Sequence, residues 1–229
     1  MAPRLATGRD RVRENGESGS IVRGRHRLVR FRDSRRRCQF DYTAHIEHVI
    51  RCWCQLYPQL QHIDMDRVAV SVVKCRSPRA EAPYATIASL RYPNGPALET
   101  GRRRIWPMPA VMKNEKEALY HLRIFLPRFH DLSGEEKVAA ILRELHRIHP
   151  KFNGELRDTG RKRWAHSPAR RTFGVTFDSV VSDIHARCCA VYELFLNCSF
   201  ETLLERFGSI YGNCYRITPC AADRVQTVA

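Results

Sequence analysis

Residues 133–150, SGEEKVAAILRELHRIHP, admit one local structure. Ser133 followed three positions later by Glu136 is a capping box, in which each side chain satisfies the other residue's backbone N–H. Val138, Ile141, Leu142, Leu145 and Ile148 then recur at helical spacing and make an apolar stripe. Pro150 cannot continue the hydrogen-bond pattern and sets the end. A helix with one apolar face has to bury it, so the rest of the chain must build a core against this segment.

The material for that core is present, since 43% of the residues are apolar. In residues 40–58, Ile46, Val49, Ile50, Trp53 and Leu56 fall at helical spacing, and Pro58 stops the run. RVAVSVVKC, YATIASLRY and ALYHLRIFL are rich in β-branched or alternating apolar residues and read as three strands, the last ending at Pro127. RSPRAEAP and YPNGPALETG between them carry loop chemistry. From Pro168 to about Asn197 the pattern is again largely helical, with Phe173, Phe177, Val180, Val181, Ile184 and Val191 on the buried side. FETLLERFG is a short helix ending at Gly208. The fold class is therefore α+β: a single domain with a small sheet packed against the 133–150 helix and a long C-terminal helix.

The formal net charge is +15, and much of the excess is local. Residues 1–37 are crowded with arginine and carry almost no large apolar residue before Ile21, so this segment reads as a flexible basic arm. Residues 38–199 form the globular domain, and 200–229 the short helix and a tail. The arm suits nonspecific nucleic acid through phosphate contacts, while its near-absence of aromatic residues argues against sequence-specific single-strand recognition. The arm lacks the apolar core of a signal peptide, and no later run is long enough for a membrane span. Nine irregularly spaced cysteines fit reduced thiols in a cytoplasmic protein, and Cys52 and Cys54 lack the spacing of a zinc knuckle. His45 and His48, three apart on the first helix, read as a surface pair.

The chemistry concentrates in RELHR. Histidines four apart on a helix present two imidazoles to one metal, and a glutamate after the first can act as general base on metal-bound water. Here Glu144 is present, but Arg143 and Arg147 occupy the two ligand positions. A guanidinium offers only donors and has no lone pair for zinc. His146 and His149, three apart on the same helix, are an alternative pair that could bridge a displaced metal with His166 arriving from a loop. They equally suit the negative end of the helix dipole.

Several features around this helix occur together in order. LPRF at residues 126–129 precedes the helix, Leu145 and Ile148 follow Glu144, and then come Pro150, Phe152, Gly154, Leu156 and Arg157, with Ala165 and His166 beyond. This arrangement resembles the phage-type zinc metallopeptidase family, over roughly residues 40–181. The resemblance implies a zincin-like fold, Glu144 at the catalytic base position, His166 at the third zinc ligand, and Arg143 and Arg147 at the first two ligand positions. The expected protein is a degenerate metallopeptidase-like domain with a peptide or protein ligand. Two alternatives stay open: an active zinc-dependent hydrolase using the displaced histidines, and a nucleic-acid-associated protein acting through its arm. Zinc is the cofactor if the chain is active, and none is expected otherwise.

Overall fold

The computed structural model describes residues 25–32, 38–75, 82–91, 99–101, 104–106, 110–157, 175–188 and 192–216. Helix α1 (Tyr42–Leu56) starts where the Asp41 carboxylate accepts the Ala44 N–H at 3.0 Å. It buries Ile46, Val49, Ile50 and Trp53, as their spacing requires. Strand β1 (Arg25–Arg32) and strand β2 (Gln39–Asp41) precede it, and β3 (Val68–Lys74) and β4 (Ala85–Ser89) follow. Two short hairpins come next, β5 (Glu99–Gly101) with β6 (Arg104–Trp106), and β7 (Met112–Lys113) with β8 (Lys116–Glu117). Strand β9 (Tyr120–Leu126) completes a three-stranded sheet in the order β3-β9-β4, parallel to β3 and antiparallel to β4.

Helix α2 (Gly134–His146) carries the expected capping box. The Glu136 N–H reaches Ser133 Oγ at 3.3 Å, and the Ser133 N–H reaches Glu136 Oε2 at 3.0 Å. Val138, Ile141, Leu142 and Leu145 are buried. The helix stops at His146 rather than at Pro150, with Arg147 as its C-cap. Beyond it, Ile148 bridges Leu156 antiparallel, and the Arg147 carbonyl accepts the Arg157 N–H at 2.7 Å. Hydrogen bonds to residues 155–157 replace the helical ones, so the turn wins before proline is reached.

Helix α3 (Val175–Cys188) packs on α2, followed by the single-turn α4 (Glu193–Leu196) and by α5 (Phe200–Phe207). The run expected to be helical from Pro168 is thus α3 and α4, residues 168–174 and 189–191 lying outside the described residues. Gly208 ends α5 at φ 72°, a left-handed C-cap that glycine adopts without strain.

Two segments assigned to the arm and the tail are structural. Residues 25–32 form β1, which pairs antiparallel with β10 (Ser209–Arg216) from Arg25↔Arg216 to Arg32↔Ser209. Strand β2 pairs parallel with β10 on its other side. Val29 and Phe31 pack against the core, and the Phe31 ring meets Phe200 edge-on at 4.9 Å. Arginines surround Val29 and Phe31 in the sequence; β10 supplies the backbone partner of this strand, while Phe200 and the Lys74 ammonium, 4.6 Å from the ring centre, cover Phe31. Residues 1–24 lie outside the described residues.

Strand β10 also crosses close to β3. A Cβ on Gly212 would stand 2.5 Å from Val72 Cγ2 and 2.9 Å from Thr43 Oγ1. The Thr43 hydroxyl accepts the Asn213 N–H at 2.8 Å, and Ser71 Oγ accepts that of Tyr215 at 2.9 Å. One main core joins α1, α2, α3 and one face of the β3-β9-β4 sheet, while Ala69, Leu90, Val111 and Ala118 form a smaller cluster.

Candidate functional site

Strand β4 is an edge of its sheet, and α2 runs beside it. An edge strand leaves alternate backbone N–H groups without a sheet partner. The Ile87 N–H is such a donor, and Glu144 Oε2 accepts it at 2.8 Å. The same oxygen takes Arg147 Nη1 at 2.8 Å. The Glu144 side chain is 17% exposed and that of Arg147 41%, so the backbone hydrogen bond is sheltered while solvent partly screens the ion pair. One carboxylate oxygen of the expected general base is therefore committed to a cation and a backbone donor.

Arg143 and Arg147 are one turn apart but serve different partners. Arg147 turns back on Glu144, whereas the Arg143 guanidinium stands 5.9 Å from the centre of the Phe177 ring on α3. At that range a cation is attracted by the ring face.

His146 is half-buried, and burial, followed by the charges of Arg157 and His62, lowers its pKa to about 4. His149 Nδ1 accepts the Lys151 N–H at 3.2 Å. His62 sits nearby with Nε2 buried and without a hydrogen-bond partner, and burial and then Arg157 lower its pKa. Arg157 therefore acts on both His62 and His146, and His149 lies near His62, so a guanidinium sits beside the imidazoles that a displaced metal would need. Sequence reasoning missed His62, which lies in a turn after α1 with no motif around it. Among the described residues, no three His, Cys, Asp or Glu side chains are grouped to hold a metal ion. His166, the expected third ligand, lies outside the described residues. His45 and His48 also stay apart from this site, His48 Nε2 lying 3.9 Å from Cys52 Sγ.

The described residues do not fit a zinc ion. Arg143 and Arg147 bring fixed positive charge without a lone pair, and Glu144 is already paired.

Residues 150–157 have a structural role. Phe152 and Gly154 take positive φ, 48° and 92°, and turn the chain back along α2's end. Tyr120 Oη donates to the Glu155 carbonyl at 2.8 Å and accepts the Gly154 N–H at 3.0 Å. Ser89 Oγ donates to the Gly154 carbonyl, and the Phe152 and Tyr120 rings lie 5.1 Å apart. Arg157 Nε donates to the Ile148 carbonyl at 3.0 Å. This bracket ties the end of α2 to β4 and β9, fixing Glu144 against Ile87.

No protein-family model, curated protein or solved structure matches the chain. Among the described residues, no helix is long and apolar enough to cross a membrane.

Proposed function

We propose that this chain is a metallopeptidase-like domain that has given up hydrolysis and keeps the groove between α2 and β4 as a binding surface for an extended peptide. The observation that carries the reading is the Glu144 clamp. A glutamate at the catalytic position of the resembled motif is held by Ile87 N–H and by the arginine that replaces a ligand. Glu144 occupies the Ile87 N–H, so an extended peptide adding to the β4 edge would pair with the strand on either side of it, at Ala85 and Ser89. Arg147 and Glu144 at its border supply charges of both signs for orienting such a ligand.

The test is a reversion. Arg143→His together with Arg147→His restores two imidazoles at helical spacing and frees Glu144 from its ion pair. On this reading the double variant gains zinc affinity, because His166 supplies the third ligand, and either single variant binds much more weakly. Zinc also raises the double variant's melting temperature, since a ligand selective for the native state stabilises it. Calorimetric titration of the three variants decides the matter: a folded double variant with no gain in zinc affinity sinks the metallopeptidase reading.

A further inference from the structure

A cavity of about 340 Å³ opens at the start of α2, away from Glu144. His130, Asp131, Ser133, Gly134, Lys137 and Cys198 line it. Lys137 is 1% exposed, and its ammonium donates to the carbonyls of Leu196 at 3.3 Å and Cys198 at 3.1 Å. It makes no ion pair among the described residues. An ammonium carries three donors, so two carbonyls leave one unmatched. A buried charge without a direct ion-pair partner is costly, Asp131 at the rim offsets it only from a distance, and the adjoining cavity is where a closer counter-charge can sit.

The other charged groups around it are already engaged or face outward. Glu136 is locked into the cap by the Ser133 N–H and hydroxyl. Asp131 is exposed at the rim, and its Oδ1 accepts the Phe200 N–H at 2.9 Å. His130 is buried, with Nδ1 3.0 Å from Tyr42 Oη and Nε2 3.4 Å from Cys198 Sγ. Burial, then Lys137 and His45, lower its pKa to about 3, so it is neutral. The His185 ring lies against Gly134, so close that a Cβ there would stand 2.5 Å from Nε2.

We propose that this cavity binds a small molecule bearing a carboxylate or phosphate group, whose oxygens pair with the Lys137 ammonium. The volume is at the lower end of the roughly 300–1,000 Å³ typical of ligand pockets, which suits a small metabolite. Burial lowers the Lys137 pKa to about 8, with Cys198 and Asp131 acting in the opposite direction, so the amine still carries its charge at neutral pH. A bound oxyanion raises that pKa, because an opposite charge favours the protonated form.

The full chain is titrated calorimetrically at pH 7 with succinate and, separately, with inorganic phosphate. At least one binds at one per chain, and the tighter of the two identifies the group recognised. Lys137→Met weakens that binding by about tenfold or more, as loss of a charge-assisted pair does. In the wild-type chain, nitrogen NMR of labelled lysine shows the Lys137 pKa rising when the tighter ligand saturates. Binding of neither probe overturns the proposal, as does equal binding by Lys137→Met, which would place the anion on arginines elsewhere. Should that variant fail to fold, an unmoved Lys137 pKa in the wild type overturns it alone.

Discussion

Arg147 holds Glu144 from one turn away, Nη1 to Oε2 at 2.8 Å, while the Ile87 N–H bonds the same oxygen from the neighbouring strand. The clamp joins helix to sheet edge at the position where the resembled motif would place its chemistry. It has a stability consequence. Glu144→Ala leaves the buried Ile87 donor without an acceptor and costs about 1–3 kcal/mol. Glu144→Gln keeps an amide oxygen for Ile87 and costs less. Urea denaturation of both variants checks the order, and equal losses would mean that the hydrogen bond contributes nothing.

The purified chain, prepared without a histidine tag, holds far less than one zinc per molecule. The reason is the pair of arginines at the ligand positions and the Arg157 guanidinium beside His62 and His146. Elemental analysis measures it. Stoichiometric zinc that disappears in His146→Ala or His149→Ala would overturn this and favour a displaced-histidine metal site.

Gly212→Ala destabilises the fold by about 1–3 kcal/mol, the usual cost of forcing a methyl into filled space. The added carbon meets Val72 Cγ2 at 2.5 Å. Val72→Ala in the same chain relieves part of that loss, so a double-mutant cycle reads a coupling between the two sites. Strictly additive losses would show that β10 does not press on β3 here.

Truncation separates the arm's charge from its strand. A chain starting at Arg25 keeps β1 and its melting temperature, but it binds polyanions less tightly because Arg4, Arg9, Arg11, Arg13 and Arg23 are gone. A chain starting at Cys38 also loses Val29 and Phe31 from the core and melts lower. Melting curves and DNA binding across a salt series test both statements. Unchanged affinity and salt slope in the chain from Arg25 would dismiss those arginines.

Acid weakens the fold through its buried histidines, of which His121 and His130 are the most enclosed and half-buried His146 acts in the same sense. Burial lowers the pKa of His121 to about 4 and of His130 to about 3, both below the unfolded value near 6.5. Between these limits the unfolded chain binds more protons, so stability is complete above pH 6.5 and falls as pH drops through the window. Each histidine contributes a slope approaching about 1.4 kcal/mol per pH unit. Urea midpoints at pH 7 and pH 5 reveal it, and a flat profile would place both imidazoles in contact with water.

Local sequence determined α1, α2 with its capping box, the three strands of the β3-β9-β4 sheet and the glycine that ends α5. Each rests on neighbours a few residues apart, where spacing and cap chemistry act directly. It also determined that Arg143 and Arg147 lack a lone pair for a metal, because that is a property of the side chain alone. Tertiary structure decided the rest. Strand β1 is hidden among arginines, since its backbone partner β10 and the Phe200 ring that meets Phe31 both come from the other end of the chain. The early stop of α2 depends on residues 148–157 folding back onto Tyr120 and Ser89. Glu144's partner Ile87 is distant in sequence and offers only a backbone N–H, which no side-chain pattern encodes. Lys137 reads as an ordinary helix lysine until α4 and the segment after it close over it and remove the water.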